Sequence, residues 1–194
     1  MRVSAEEFRA LDLEVHSFLR EVPLHDVSAV DLAGGGDGRT ISELHRLLSP
    51  EQLMSVGPLV RALFSFRALL GRVLGWDRAV DSNQEHSYLH RLSAEQRTRS
   101  RVTPGTPDGP FQLLYVFENE LLGEVRNATV HAFSCMALHP APQGYRLYWA
   151  VYVKPVSRLT PFYMGLIEPF RRFIVYPTIL RRLRASWAER YGGA

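Results

Sequence analysis

Cysteine and lysine are nearly missing from this chain: Cys135 and Lys154 each stand alone. One cysteine excludes an internal disulfide and a cysteine-based zinc cluster, which fits a reducing compartment. Arginine supplies every other basic residue, and 23 basic against 20 acidic residues leave a net charge of only +3. No run of about 18 uncharged apolar residues occurs, so no ordinary membrane span is expected. The opening MRVSAEEFRALDLEVHSFL carries acids early and lacks an uncharged apolar core, which argues against a secretory signal. These absences point to a cytoplasmic protein. Nothing resembles a nucleic-acid-reading module, so no nucleic-acid partner is expected. His86 and His90 sit four apart but lack a third ligand on their face, so neither metal nor cofactor is expected.

What is present is an ordinary globular composition, 46% hydrophobic over 194 residues, enough for one domain with a sizeable core. Residues 4–20 read as a short amphipathic helix: Ser4 and Glu7 fit a capping box, and Phe8, Leu11, Val15, Phe18 and Leu19 recur at helical spacing. A strand follows near 24–32, where Asp26, Ser28, Val30 and Leu32 alternate with Val27, Ala29 and Asp31. After the AGGGDG turn, Thr40 and Glu43 form a second capping box that starts a helix. From Pro58 a stronger helix runs to Gly75. YLHRLSAEQRTR suits a short helix capped at Ser93. FQLLYVFEN, LLGEVRNATVHAFSCMAL and YRLYWAVYVKP are rich in aromatic and β-branched residues and read as at least three consecutive antiparallel strands. The last stretch, PFYMGLIEPFRRFIVYPTILRRL, has one apolar face at helical spacing. Pro169 and Pro177 each remove a backbone donor there, so a kinked or broken helix is expected.

The order is strand, two shorter helices, antiparallel strands, then a long helix. It implies an α+β fold: a curved antiparallel sheet around a long, kinked C-terminal helix. We read 1–194 as a single domain, with residues 1–20 as the N-terminal helix and 21–192 as the core. Such a fold often leaves a cavity between sheet and helix.

NATVHAF (127–133), YRLYWAVYVKPVSRLTPFYM (145–164) and PFRRFIVYP (169–177) resemble the bacterial domain-of-unknown-function family numbered 2867, as do VDLAGGGDGRT (30–40) and PGTPDGPF (104–111). The resemblance runs from about residue 20 to 190. That family is grouped with the START-like (SRPBCC) helix-grip domains. This implies the same fold and an apolar cavity for a small molecule. It implies no reaction, because the family has no agreed catalytic motif and fold guides function weakly.

Strand parity sorts the candidate side chains by face without telling which face lines such a cavity. Tyr115, Asn127, His131, Tyr148 and Tyr152 would orient a ligand. Phe162, Leu166, Phe170, Phe173 and Trp187 would supply apolar wall. Trp149, Tyr163 and Arg171 complete the candidate ligand site. Binding of a hydrophobic or amphipathic small molecule is the leading expectation. The alternative is a cofactor-free cyclase, isomerase or dehydratase with His131 as acid/base and tyrosines stabilising an oxyanion. The plainer reading of His131 is a core histidine bonded to a neighbour. Glu118, Glu120 and Glu124 cluster around a hairpin and read as surface charge. The C-terminal arginines outnumber Glu168 and Glu189, which leaves weak contact with a membrane surface or partner as a third reading. AGGGDGRT lacks the spacing and lysine of a phosphate loop and reads as a tight strand-to-helix turn.

Overall fold

The computed structural model describes residues 2–47, 87–126, 130–156 and 160–192, apart from the side chains of Phe162 and Tyr163. The expected helix from Pro58 to Gly75, His86, Asn127 and the Tyr163 side chain lie outside these described residues.

The strands are β1 (Leu24–Ala33), β2 (Pro107–Asp108), β3 (Phe111–Val116), β4 (Glu120–Arg126), β5 (Val130–Ala141) and β6 (Gly144–Pro155). They form one antiparallel sheet in the order β1-β6-β5-β4-β3-β2. The first strand thus pairs with the last and forms one edge. Helices α1 (Ala5–Arg9), α2 (Glu14–Phe18), α3 (Ile41–Arg46) and α4 (Ala94–Arg99) are short. At the C-terminus α5 (Thr160–Phe170) continues through a π turn, Arg171–Val175, into α6 (Tyr176–Tyr191). The α+β architecture of sheet and long terminal helix is as expected. No helix among the described residues is long and apolar enough to cross a membrane.

Alternation along the strands gives the sheet two covered faces. Val27, Ala29, Phe133, Cys135, Tyr148, Ala150 and Tyr152 face Phe8, Val15, Leu19 and Tyr88. Leu32, Leu113, Leu138 and Leu147 face the opposite way, against Ile179, Leu180, Leu183 and Trp187 of α6. The sheet is therefore covered by N-terminal elements on one side and by the C-terminal helix on the other.

Three local expectations change. The single N-terminal helix is two, broken at residues 10–13. The break lets Phe8, Leu13, Val15 and Leu19 all reach the sheet. Its second start is capped from outside, by Glu120 Oε2 accepting the Glu14 N–H at 2.9 Å. The stretch 121–138 is two antiparallel strands, with Arg126 opposite His131. That reversal resets parity, so Val125 pairs with Ala132 and does not share a face with His131. The C-terminal helix leaves α-helical register between Pro169 and Pro177, where the π turn falls. Each proline lacks the N–H that α-register requires and presses on the carbonyl four residues back.

Candidate functional site

A groove of about 470 Å³ runs between edge strand β1 and the C-terminal helix. From β1 it takes Asp26, Ser28 and Val30, the alternation visible in the sequence; Ala29 and Asp31 also line it. From the helix come Glu168, Arg172, Phe173, Tyr176, Pro177, Leu180, Arg181 and Arg184, and Arg2 closes one side. Helix α6 is anchored beside it by Trp187, fully buried, whose Nε1–H donates to Ala33 O at 3.1 Å. Phe173 is left 69% exposed, an unusual position for so large an apolar side chain on a packed helix.

One end of the groove is polar and tightly bonded. Arg171 Nη2–H donates to Asp26 Oδ2 at 2.8 Å and also to the Tyr176 hydroxyl. The Tyr176 hydroxyl donates to Asp26 Oδ1 at 3.2 Å. Glu168 Oε2 lies 3.7 Å from Arg171 Nη1 and 3.0 Å from His25 Nε2. Burial pushes the Asp26 carboxyl above the usual carboxylate range, although Arg171 and His25 pull it back. Burial likewise raises the Tyr176 phenol. His25, Asp26 and Glu168 bring ligand atoms within 4.8 Å of one another, but the Arg171 guanidinium already supplies the cation there. The arrangement is a fixed ionic end to a groove that is otherwise apolar or arginine-lined.

The sheet face toward α5 and α6 also carries half-buried apolar residues in mid-sheet: Ala132, Met136, Trp149 and Val151. Trp149 stacks obliquely on Tyr176, ring centres 5.0 Å apart, and donates its Nε1–H to Ser134 Oγ at 2.9 Å. Phe170 is half-buried on the same helix. Trp149, Phe170 and Arg171 of the expected site thus belong to the C-terminal side.

Tyr115, His131, Tyr148 and Tyr152 do not join them. They lie on the face covered by the N-terminal elements, so the expected single cavity with all of them divides between two faces. The cause is period-two alternation: Tyr148 and Tyr152 stand one and three positions from Trp149, odd steps that point them away from it. His131, 3% exposed, donates Nε2–H to Glu124 Oε2 at 3.0 Å, with the Tyr88 ring edge-on at 5.3 Å. Glu124 also accepts from the Tyr88 N–H at 3.1 Å and from the Ser87 hydroxyl. Burial alone would raise Glu124, but these donors hold its carboxyl below the usual range. Tyr115 donates to Glu120 Oε1 at 2.5 Å. Burial pushes the Glu120 carboxyl up to about 7, and burial followed by Glu120 raises the Tyr115 phenol. Tyr148 donates to Glu7 Oε1 at 3.0 Å.

Glu120 and Glu124 therefore overturn the surface reading: they are 1% and 4% exposed. Only Glu118 sits in the wet turn, beside Arg101. The missed signal was alternation, since Glu120 and Glu124 share the inward face with Leu122. The sequence also hid Asp26 and Tyr176, distant partners that meet only when β1 and α6 pack. A signal for the groove was legible in the helix: Phe173, Pro177, Arg181 and Arg184 step by four, four and three, one stripe.

The glycine loop is a turn, as its pattern suggested. Arg39 folds back, Nε–H donating to Gly35 O at 2.6 Å with Nη1 on Glu43, and its guanidinium covers the Tyr191 ring at 4.3 Å. Tyr145 locks the loop by donating to Gly36 O at 2.9 Å and accepting from Arg39 N–H at 3.0 Å.

Comparison with known proteins returns no matching curated protein and no matching solved structure. Residues 18–178, spanning the sheet, the glycine turn and the helix through the π turn, match the family described as "Protein of unknown function (DUF2867)", and the chain belongs to that family.

Proposed function

We propose that the protein binds a hydrophobic or amphipathic small molecule between the sheet and the C-terminal helix, in the manner of START-like helix-grip domains. The observation that carries this reading is the groove along β1 and α6. Its 470 Å³ falls within the range of about 300–1,000 Å³ usual for ligand pockets. Val30, Phe173, Pro177 and Leu180 give it apolar wall, and the bonded Asp26–Arg171–Tyr176 end gives it a fixed polar landmark. The π turn beside it fits as well, since such turns occur often at functional sites. The half-buried Trp149, Met136 and Val151 extend apolar surface along the same face.

The acid/base alternative rests on His131. Its ring is enclosed by Tyr88, Phe133 and Glu124 on the other face, so the groove supports binding ahead of catalysis. Native mass spectrometry of gently purified protein should reveal a bound small molecule, and Leu180→Arg, which pushes a charge into the groove, should deplete it. A protein that is ligand-free and shows no thermal shift with a panel of fatty acids, sterols and aromatic polyketides would count against the proposal.

A further inference from the structure

We infer that the groove selects an anionic amphipath, one with a carboxylate or phosphate head on an apolar body. The inference rests on the small-molecule binding reading above and specifies its ligand class. Its basis is an imbalance of charge around the groove. Every acid lining it is already paired: Asp26 with Arg171 at 2.8 Å, Asp31 with Arg146 at 3.1 Å, and Glu168 with Arg171 at 3.7 Å and the His25 ring at 3.0 Å. The lining arginines do not have the converse. Among the described residues, Arg2, Arg172, Arg181 and Arg184 form no ion pair. Arg172 lies over the Phe173 ring at 5.3 Å, and Arg181 donates Nε–H to Pro177 O at 3.1 Å, which orients both without neutralising them.

The uncompensated cations sit beside an uncompensated apolar surface. Phe173 is 69% exposed and heads the same helical stripe that ends in Arg181 and Arg184. Water is a poor partner for the ring, and no carboxylate of the described chain reaches the guanidinium groups. An amphipath satisfies both at once: its body covers Phe173, Pro177 and Leu180, and its head meets the arginines, whose planar donors suit carboxylate and phosphate. A neutral or cationic amphipath would satisfy only the apolar part. Each exposed arginine contact is weak alone, so the selectivity comes from several acting together, and salt should weaken it.

Isothermal titration with a matched series tests this: dodecanoate, dodecyl phosphate, 1-dodecanol and dodecyltrimethylammonium, each below its micellar concentration. Expected is binding of the anionic members at least about ten-fold tighter than the alcohol at low salt, the gap closing as salt screens it. In Arg181→Gln/Arg184→Gln the affinity for dodecanoate should fall toward that of dodecanol. Equal affinity for acid and alcohol, or a preference for the ammonium compound, would overturn the anionic assignment while leaving the binding reading intact. Absence of binding by all four would overturn both. Sedimentation with phosphatidylglycerol vesicles in that last case would assign the arginine rim to a membrane surface instead.

Discussion

Arg171 and Arg172 are neighbours in sequence with different surroundings. Arg171 turns inward to Asp26, Glu168 and Tyr176, and Arg172 lies exposed over Phe173. Sequence alone could not name the partner of Arg171, because Asp26 is 145 positions away from it. Asp26→Ala should cost roughly 3 kcal/mol in denaturant unfolding, since it strands a mostly buried guanidinium. Asp26→Leu/Arg171→Met should recover most of that loss, because removing both charges also removes their desolvation. Glu120 gives a pH prediction. Its carboxyl is raised to about 7 by burial, from an ordinary 4.5. A raised carboxyl favours the fold when protonated, so its contribution is full below 4.5 and is lost as pH rises through about 7. A shift of that size corresponds to roughly 3 kcal/mol. Relative to Glu120→Gln, the melting temperature of the native chain should fall from about pH 5 to about pH 8. Parallel curves for the two proteins would show that the carboxyl titrates as an exposed one does.

At the scale of elements, much was legible. β1, the Thr40–Glu43 capping box and the Ser93-capped helix stand where the pattern put them, because each is set by neighbours within a few residues. The N-terminal helix differs from the pattern for the opposite reason. Its periodic apolar residues permit one helix, but reaching the sheet with Leu13 as well as Phe8 breaks it in two. The glycine turn shows how sharply local geometry is fixed. Gly35 has φ +102°, and a Cβ there would lie 2.8 Å from the Trp187 ring. Gly35→Ala should therefore destabilise by about 1–3 kcal/mol and loosen α6 from β1. Hydrogen exchange at α6 amides should rise in that variant; unchanged protection would show that the turn and helix are independent. Trp187→Ala should cost about 3–5 kcal/mol, from the cavity left by a fully buried indole.

At the scale of the molecule, the sheet needs cover on both faces. The family match begins at residue 18, so α1 and nearly all of α2 precede it, yet Phe8 and Val15 are fully buried in the core on one face. Removing residues 1–20 should expose Tyr115, Leu122 and Cys135, all fully buried here. Burial now raises the Cys135 thiol and closes it to reagents. The truncated chain should react with a thiol reagent at least about ten-fold faster and bind an apolar dye. Unchanged labelling would show that the N-terminal elements are not the cover.

The sequence by itself determined most element types, the antiparallel run of the later strands, the interruption at the prolines and the two-sided patterning of β6, because periodicity and proline chemistry act within a turn or a strand. Tertiary packing decided which polar groups meet. Asp26 finds Arg171, Glu120 finds the start of α2, and His131 finds Glu124 across a strand pair. It also decided that tyrosines expected to share a cavity with Trp149 face the opposite core. Alternation tells which side chains share a face, but what covers that face depends on contacts between segments far apart in the chain. No local pattern encodes that choice, and the uncompensated arginines of the groove became visible only once each acid had found its partner.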